Sequence, residues 1–320
     1  MSESATFMQL RITAKRELAK DTHWLSLQHP DGADLPEFEA GAHLTVKVPS
    51  GITRHYSLCG DPQNRGTYEI AIKREANGRG GSMSLADDTE VGQSLEVGEP
   101  VNAFGLDDKA KSFLLVAGGI GITPMRAMMW QLHNEGVRQF KLVYLTRDAQ
   151  STAFLDEFKS GPWAGKVQVH HDHGDAAQAF DLWKLFEKPV SGCHVYCCGP
   201  QRLMDEVKDM TGHWATSAIH FESFGADTQV RTDDRAFTVE LARTGKTVEV
   251  GAKESLLHAL KAAGVAVSSS CESGTCGSCK VKLLAGEADH RDLVLLDEEK
   301  SDHIMVCVSR ACSETMVLDL

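Results

Sequence analysis

Cys271-Glu-Ser-Gly-Thr-Cys276-Gly-Ser-Cys279 decides how the C-terminal quarter of the chain must be built. The C-x4-C-x2-C spacing is that of a plant-type [2Fe–2S] loop, which takes its fourth cysteine from a distant segment. Three thiolates on one tight loop have to converge on two irons without clashing. Gly274 and Gly277 let the backbone curl and turn its N–H groups toward the inorganic sulfides, where those dipoles stabilise negative charge. Zinc knuckles use C-x2-C pairs, and only Cys276 and Cys279 match that form, so zinc and free thiols are the weaker readings. Cys307, inside the apolar run Ile304–Val308, is the preferred fourth ligand, and Cys312 is its competitor.

Around this loop, residues 236–320 read as one small domain. Strands are expected at Phe237–Arg243 and Thr247–Val250, then a helix over Ser255–Ala263, the cysteine loop and two short terminal strands. Residues 226–235 are polar, without apolar period, and read as a linker. Upstream, residues 109–225 change texture. Phe113–Ala117 (FLLVA) is a continuous apolar run, as in a strand buried on both faces. A glycine turn and a helix over Thr123–Asn134 follow, and then strands Lys141–Thr146, Val167–His171 and His194–Cys198 alternate with helical stretches. This is an α/β domain with a parallel sheet. Residues 1–108 alternate apolar and polar side chains, as in His43–Val48 (HLTVKV) and Tyr68–Lys73 (YEIAIK), with glycine and proline between. An antiparallel β-barrel is the natural outcome.

The bulk composition agrees with several globular domains. The 320 residues are 42% hydrophobic and 24% charged, and domains typically hold about 100–200 residues. A net charge of −12 leaves no basic excess for phosphates and excludes a nucleic-acid binder. The longest apolar stretch, Phe113–Met125, is broken by three glycines and a proline and cannot span a bilayer. With no signal-like N-terminus, the expected location is the cytoplasm, where nine cysteines point to metal chemistry rather than disulfides.

Two further motifs bear on cofactors. Gly118-Gly119-Ile120-Gly121-Ile122-Thr123-Pro124 follows a buried strand and opens a helix, so its backbone N–H groups can approach a pyrophosphate. Cys198-Gly199-Pro200 ends a later strand of the same sheet and is expected to share its cleft. In the first domain, Arg54-His55-Tyr56-Ser57 sets a cation, an aromatic face and a hydroxyl at a strand end, as a flavin mononucleotide requires, and Arg79-Gly80-Gly81-Ser82 offers a second phosphate cradle. A nucleotide fold joined to a one-electron cluster needs a two-to-one electron converter, which a flavin provides.

The chain resembles the phthalate dioxygenase reductase family over essentially its whole length. The resemblance is carried by Arg54–Cys59 (RHYSLC), Lys73–Ser82 (KREANGRGGS), Lys111–Met125 (KSFLLVAGGIGITPM), His170–Asp175 (HHDHGD), His194–Pro200 (HVYCCGP), His220–Gly225 (HFESFG), Ser269–Lys280 (SSCESGTCGSCK) and Gly286–Asp292 (GEADHRD). It implies an FMN-binding barrel, an NADH-binding α/β domain and a β-grasp [2Fe–2S] ferredoxin domain. It implies hydride transfer from NADH to the flavin. Single electrons then pass through the cluster to the Rieske-type oxygenase component of an aromatic-acid (phthalate-type) system. A related O-demethylase or monooxygenase reductase, or an FAD-containing one, is the alternative.

By position, the resemblance places Arg54, His55, Tyr56, Ser57, Ile72, Lys73, Gly80, Gly81, Ser82 and Thr123 on FMN, with Phe224 covering the isoalloxazine. It places Gly118, Gly119, Gly121, Thr123, Asp172, Cys198, Gly199 and Pro200 on NADH, and Ser57, Thr123 and Phe224 at the hydride-transfer centre. Family members carry Thr where this chain has His55.

Other clusters read more simply. His170, His171 and His173 at a strand end suit the surface or the nucleotide edge better than a metal. Cys197 and Cys198 point to opposite faces of a strand and, with Cys193, are expected to be inert. A binding-only electron carrier with a degenerate reductase domain is the rival class, and the intact phosphate-binding glycines and Arg54 weigh against it. At the nucleotide edge, Arg147 suits a 2′-phosphate whereas Asp148 and Asp172 repel one, which favours NADH.

Overall fold

The computed structural model describes residues 7–76, 78, 80–224, 233–269, 272, 274 and 277–320. Cys271, Cys276 and Arg79, together with most of the expected linker, lie outside the described residues. The chain divides into two compact units, Met1–His220 and Phe221–Leu320.

The first unit opens with β1 (Phe7–Ala19), β2 (Thr22–Gln28), β3 (Ala42–Lys47), β4 (Thr53–Ser57) and β5 (Tyr68–Lys73). The short helix α1 (Gly81–Asp87), β6 (Ser94–Gly98) and β7 (Val101–Asn102) follow. The strands pair antiparallel in the order β4-β3-β6-β1-β2-β5, with β7 on β3. A bridge from Leu58, just past β4, to Ile70 of β5 closes the sheet into a barrel. Alternation along the strands decides its inside. Leu10 and Ile12, Leu25 and Leu27, Leu44 and Val46, and Ile70 and Ile72 all point into one buried cluster.

The same unit continues with β8 (Ser112–Gly118), α2 (Ile122–Glu135), β9 (Gln139–Thr146), α3 (Leu155–Ser160), β10 (Val167–His171), α4 (Trp183–Phe186), β11 (Cys193–Cys198) and α5 (Gln201–Met210). The strand β12 (Ile219–Glu222) ends the sheet, whose order is β10-β9-β8-β11-β12. β8, β9, β10 and β11 run parallel. The central strand β8 is buried from Phe113 onward, which is why it carries no polar alternation. α2 ends on Gly136 in the left-handed region, a glycine stop that spares any other residue a Cβ clash.

One buried guanidinium ties the barrel to this sheet. Arg126 of α2 donates to the Cys59 carbonyl (2.5 Å) and to Glu69 (2.8 Å) on the barrel side, and to Glu157 of α3 (3.0 Å). Gln131 accepts from the Ala40 N–H at 2.9 Å, and Asn134 donates to Asp61 at 2.8 Å.

The second unit contains β13 (Phe237–Leu241), β14 (Lys246–Val250), α6 (Leu256–Ala262), β15 (Lys280–Ala285), β16 (Ala288–Asp289), β17 (His303–Met305), β18 (Arg310–Ala311) and β19 (Thr315–Leu318). The main sheet runs β14-β13-β19-β15-β17, with β13 and β19 parallel, and α6 belongs to the same hydrophobic core. Ser255 caps α6 by accepting from the His258 N–H. Two short terminal strands were expected after the cysteine loop, and five are present. Three of them, β16, β17 and β18, have only two or three residues, too few to show a period. Among the described residues, no helix is long and apolar enough to cross a membrane.

Candidate redox and nucleotide sites

The strand β4 sends Arg54 and Tyr56 to one face and His55 and Ser57 to the other. Arg54 lies against the start of α1: a Cβ on Gly81 would stand 2.7 Å from its Cγ and Nε. Gly80, at φ 79°, makes the turn that brings Gly81 there. Ser82 accepts from the Glu75 N–H at 3.0 Å and so fixes the loop. Among the described residues the buried Tyr56 hydroxyl has no hydrogen-bond partner, and burial pushes it up to about 12. An orphaned phenol beside a guanidinium in a glycine cradle is what a bound flavin phosphate and ring would satisfy.

The remaining flavin candidates are arranged unevenly. Ser57 and Ile72 are buried, and the Lys73 ammonium donates to the Lys20 carbonyl at 3.0 Å. His55 stacks on His43, with ring centroids 4.8 Å apart. Phe224 is 45% exposed and belongs to the second unit. The assignment of Arg54 has a direct readout. Arg54→Ala is expected to weaken flavin retention roughly ten- to a hundredfold, because a charge-assisted contact contributes about 1.5–3 kcal/mol. Unchanged flavin content after gel filtration at high dilution would remove Arg54 from the site.

The nucleotide turn is built by close backbone approach. A Cβ on Gly121 would collide with the Cys198 carbonyl. One on Gly118 would lie 2.6 Å from Pro200 Cδ, and one on Gly199 would lie 2.9 Å from Gly118 Cα. Glycine is therefore required where the ends of β8 and β11 meet. Gly119, at φ 53°, has nothing within 4 Å of its missing side chain, so that side of the turn is open to a ligand. Two contacts brace the turn: Tyr144 donates to the Gly119 carbonyl and Thr123 to the Ile120 carbonyl, both at 3.0 Å. Thr123 itself is 2% exposed, so it shapes the turn from beneath.

Asp172 and Arg147 share one edge of the sheet. Asp172 accepts from the Gly174 N–H at 2.8 Å, and a Cβ on Gly174 would stand 3.6 Å from Arg147 Nε. Asp148, expected to face the nucleotide, instead caps the next turn by accepting from the Ser151 N–H at 2.8 Å. That bond holds its carboxyl below the usual range. The neighbouring histidines are engaged singly: His170 meets the Gln178 carbonyl and His171 meets Thr146. Cys197 and Cys198 are buried, and burial pushes the Cys197 thiol up, away from thiolate.

In the second unit the Sγ atoms of Cys279 and Cys307 lie 2.9 Å apart, both buried, whereas Cys312 is exposed. Gly274 and Gly277 both take positive φ, 75° and 78°, as a curled loop requires. A Cβ on Gly274 would stand 2.8 Å from Val308, so Gly274 packs directly against the segment bearing Cys307. Paired buried thiols, with glycines at positive φ on the segment before Cys279, fit an iron–sulfur cluster.

Three family models match in this order: an oxidoreductase FAD-binding domain over residues 9–105, an oxidoreductase NAD-binding domain over 115–209 and a 2Fe-2S iron-sulfur cluster binding domain over 239–312. The phthalate dioxygenase reductase of Burkholderia cepacia is 57% identical over 98% of both chains. The chain belongs to the phthalate dioxygenase reductase family. The phthalate 4,5-dioxygenase oxygenase reductase subunit of Pseudomonas putida is 51% identical over 98% of this chain and 97% of that one. A solved phthalate dioxygenase reductase structure, titled as modular electron transfer from pyridine nucleotides to [2Fe-2S], aligns over 98% of both chains with a TM-score of 0.77. As a member of the phthalate dioxygenase reductase family, the chain is an oxidoreductase with flavin-binding, NAD-binding and [2Fe–2S] domains.

Sequence reasoning missed Tyr144, Gln131 and Arg126 as supports. Tyr144 lies in a buried strand where an aromatic residue reads simply as core, and Arg126 gives no sign of burial in a helix otherwise rich in methionine.

Proposed function

We propose that this protein takes electrons from NADH and delivers them, through FMN and a [2Fe–2S] cluster held by Cys271, Cys276, Cys279 and Cys307, to the Rieske oxygenase component of an aromatic-acid dioxygenase in the cytoplasm. The observation that carries this reading is a family likeness running the length of both chains, with flavin, nucleotide and cluster domains in one polypeptide. The modules are taken as residues 1–108, 109–225 and 236–320.

A bound flavin accepts a hydride and releases electrons singly, and the cluster relays them. The chain's own residues prepare that chemistry. Arg54 and Gly81 would hold the phosphate, and Tyr56 would offer its ring and hydroxyl to the flavin. Ser57 would offer the hydroxyl nearest the reacting edge. Gly119 and Gly121 would admit the pyrophosphate, with Cys198, Gly199 and Pro200 lining the other side. FMN is preferred to FAD on the likeness to the phthalate dioxygenase reductase family. Heat release of the flavin followed by chromatography distinguishes the two. Mixing the reduced protein with a phthalate dioxygenase oxygenase component tests the partner, and failure to reduce its Rieske centre would reject it.

The nucleotide edge sets specificity. Asp172 is the carboxylate placed to accept from free ribose hydroxyls, beside Arg147. With Asp148 engaged as a cap, one acid rather than two faces the 2′ position. NADH is expected to exceed NADPH in kcat/KM by roughly tenfold, the low end of a like-charge contact worth about 1–3 kcal/mol. Steady-state rates at matched ionic strength check this, and equal efficiencies would show that Arg147 outweighs Asp172.

A further inference from the structure

Outside the flavin, nucleotide and cluster residues, Asp107, His194 and His220 bring one ligand atom each to within 4.8 Å of one another. Asp107 lies in the segment leading from the barrel to β8, His194 near the start of β11, and His220 on the neighbouring strand β12. His194 Nδ1 is 3.0 Å from His220 Nε2 and 3.9 Å from Asp107 Oδ2. The imidazole planes are 17° apart with centroids at 5.2 Å, so the two nitrogens meet edge to edge and share one proton.

A metal ion can take the place of that proton. With zinc–nitrogen distances of about 2.0–2.1 Å, tetrahedral geometry separates two ligand nitrogens by about 3.3 Å. A small opening of the contact admits the ion. The imidazole that donates moves its proton to its other ring nitrogen, which frees the contact nitrogen for the ion and loses no proton.

The surroundings hold these groups in place. The Tyr196 ring stacks on His220 at 4.3 Å, while its hydroxyl accepts from the Asp107 N–H at 2.8 Å and donates to the Gly105 carbonyl at 2.9 Å. Asp107 Oδ1 accepts from the Lys109 N–H at 2.7 Å, which leaves Oδ2 on the side of His194. Burial holds His220 down to about 4, and the Lys109 N–H holds the Asp107 carboxyl below its usual range.

We propose that Asp107, His194 and His220 form a second metal site, taking a zinc-class divalent ion with water in the fourth position. Two imidazoles and one carboxylate suit zinc or copper(II) and do not suit magnesium or calcium, which prefer all-oxygen sets. The site lies at the opposite end of β11 from Cys198 and Gly199, about 13–16 Å from His194 at roughly 3.3 Å per strand residue. An ion there cannot touch the nucleotide. It clamps the segment leaving the barrel to two strands of the sheet.

The test uses oxidised holoprotein with flavin and cluster in place, stripped with EDTA and equilibrated with Zn2+, counting zinc and iron per chain. One zinc beyond the iron is expected. Asp107→Asn and His220→Ala should each weaken it at least about tenfold, by analogy with losses at metal-site partners, and Cys312→Ser should leave it unchanged. Copper(II) added to the Cys312→Ser protein reads the ligands directly, because the oxidised flavin and cluster give no EPR signal. Hyperfine coupling to two imidazole nitrogens is expected. If His220→Ala fails to fold, judged by flavin content, Asp107→Asn and the copper spectrum decide. No zinc beyond the iron, zinc that survives the foldable site variants, zinc lost in Cys312→Ser, or copper without nitrogen coupling would overturn the proposal.

Discussion

The Cys307→Ser protein is expected to lose its cluster iron and its NADH-driven cytochrome c reduction, the latter by more than about a hundredfold. Loss of an outer-shell partner alone already costs about 10–100-fold at metal sites. Cys312→Ser is expected to keep both. The contrast follows from placement: Cys307 is buried with its sulfur 2.9 Å from that of Cys279, whereas Cys312 is exposed. Serine offers a hard oxygen where iron in such clusters takes soft thiolate. NADH oxidation by a two-electron dye should survive in Cys307→Ser, because the flavin-binding and NAD-binding domain matches, residues 9–105 and 115–209, lie in the other unit. An iron count and the two acceptor assays check the pair of variants. Normal cytochrome c reduction by Cys307→Ser would mean that electrons leave by another route.

Arg126→Ala is expected to destabilise the first unit by about 3–5 kcal/mol, the usual cost of removing one member of a buried ion pair. The Arg126 side chain is 7% exposed and serves Glu69, Glu157 and the Cys59 carbonyl, so its loss strands two carboxylates and a carbonyl. Trp24 also donates to Glu69, at 3.1 Å, and that one bond cannot compensate for the missing charge. In a unit of this size the change lowers Tm by about 6–20 °C. Arg126→Lys should recover only part of it, because an ammonium cannot reach three acceptors from one fork. Thermal unfolding followed by flavin release measures the difference. A fall below about 1 kcal/mol would show that desolvation of Arg126 had offset its ion pairs.

Elements with a strong period or an unbroken apolar run were legible before any coordinates. Phe113–Ala117 read as a strand buried on both faces, and it is the centre of the parallel sheet. The helix expected over Thr123–Asn134 spans Ile122–Glu135. Barrel closure through Leu58 and Ile70 was not legible, since a single bridge leaves no pattern along the chain. The strands β16 and β18, two residues each, are too short for alternation to show.

The sites divide in the same way. Glycine turns and cysteine spacings are local, and Gly121 against Cys198 or Gly274 over Val308 gives the physical reason for them. Asp107, His194 and His220 come from three separate segments, so their meeting depends on strand order alone. Asp148 misled for a related reason. A carboxylate after a strand looks the same in sequence whether it faces a nucleotide or caps the next turn, and here it caps.

The central claim is one continuous path from NADH through the flavin to the cluster. Anaerobic mixing of the oxidised protein with one equivalent of NADH, followed by absorbance and by EPR of the frozen product, tests it most directly. The expected result is rapid bleaching of the flavin band together with the EPR signal of a reduced [2Fe–2S] cluster. Bleached flavin beside a cluster that stays oxidised and EPR-silent, or no bleaching at all, would contradict the account.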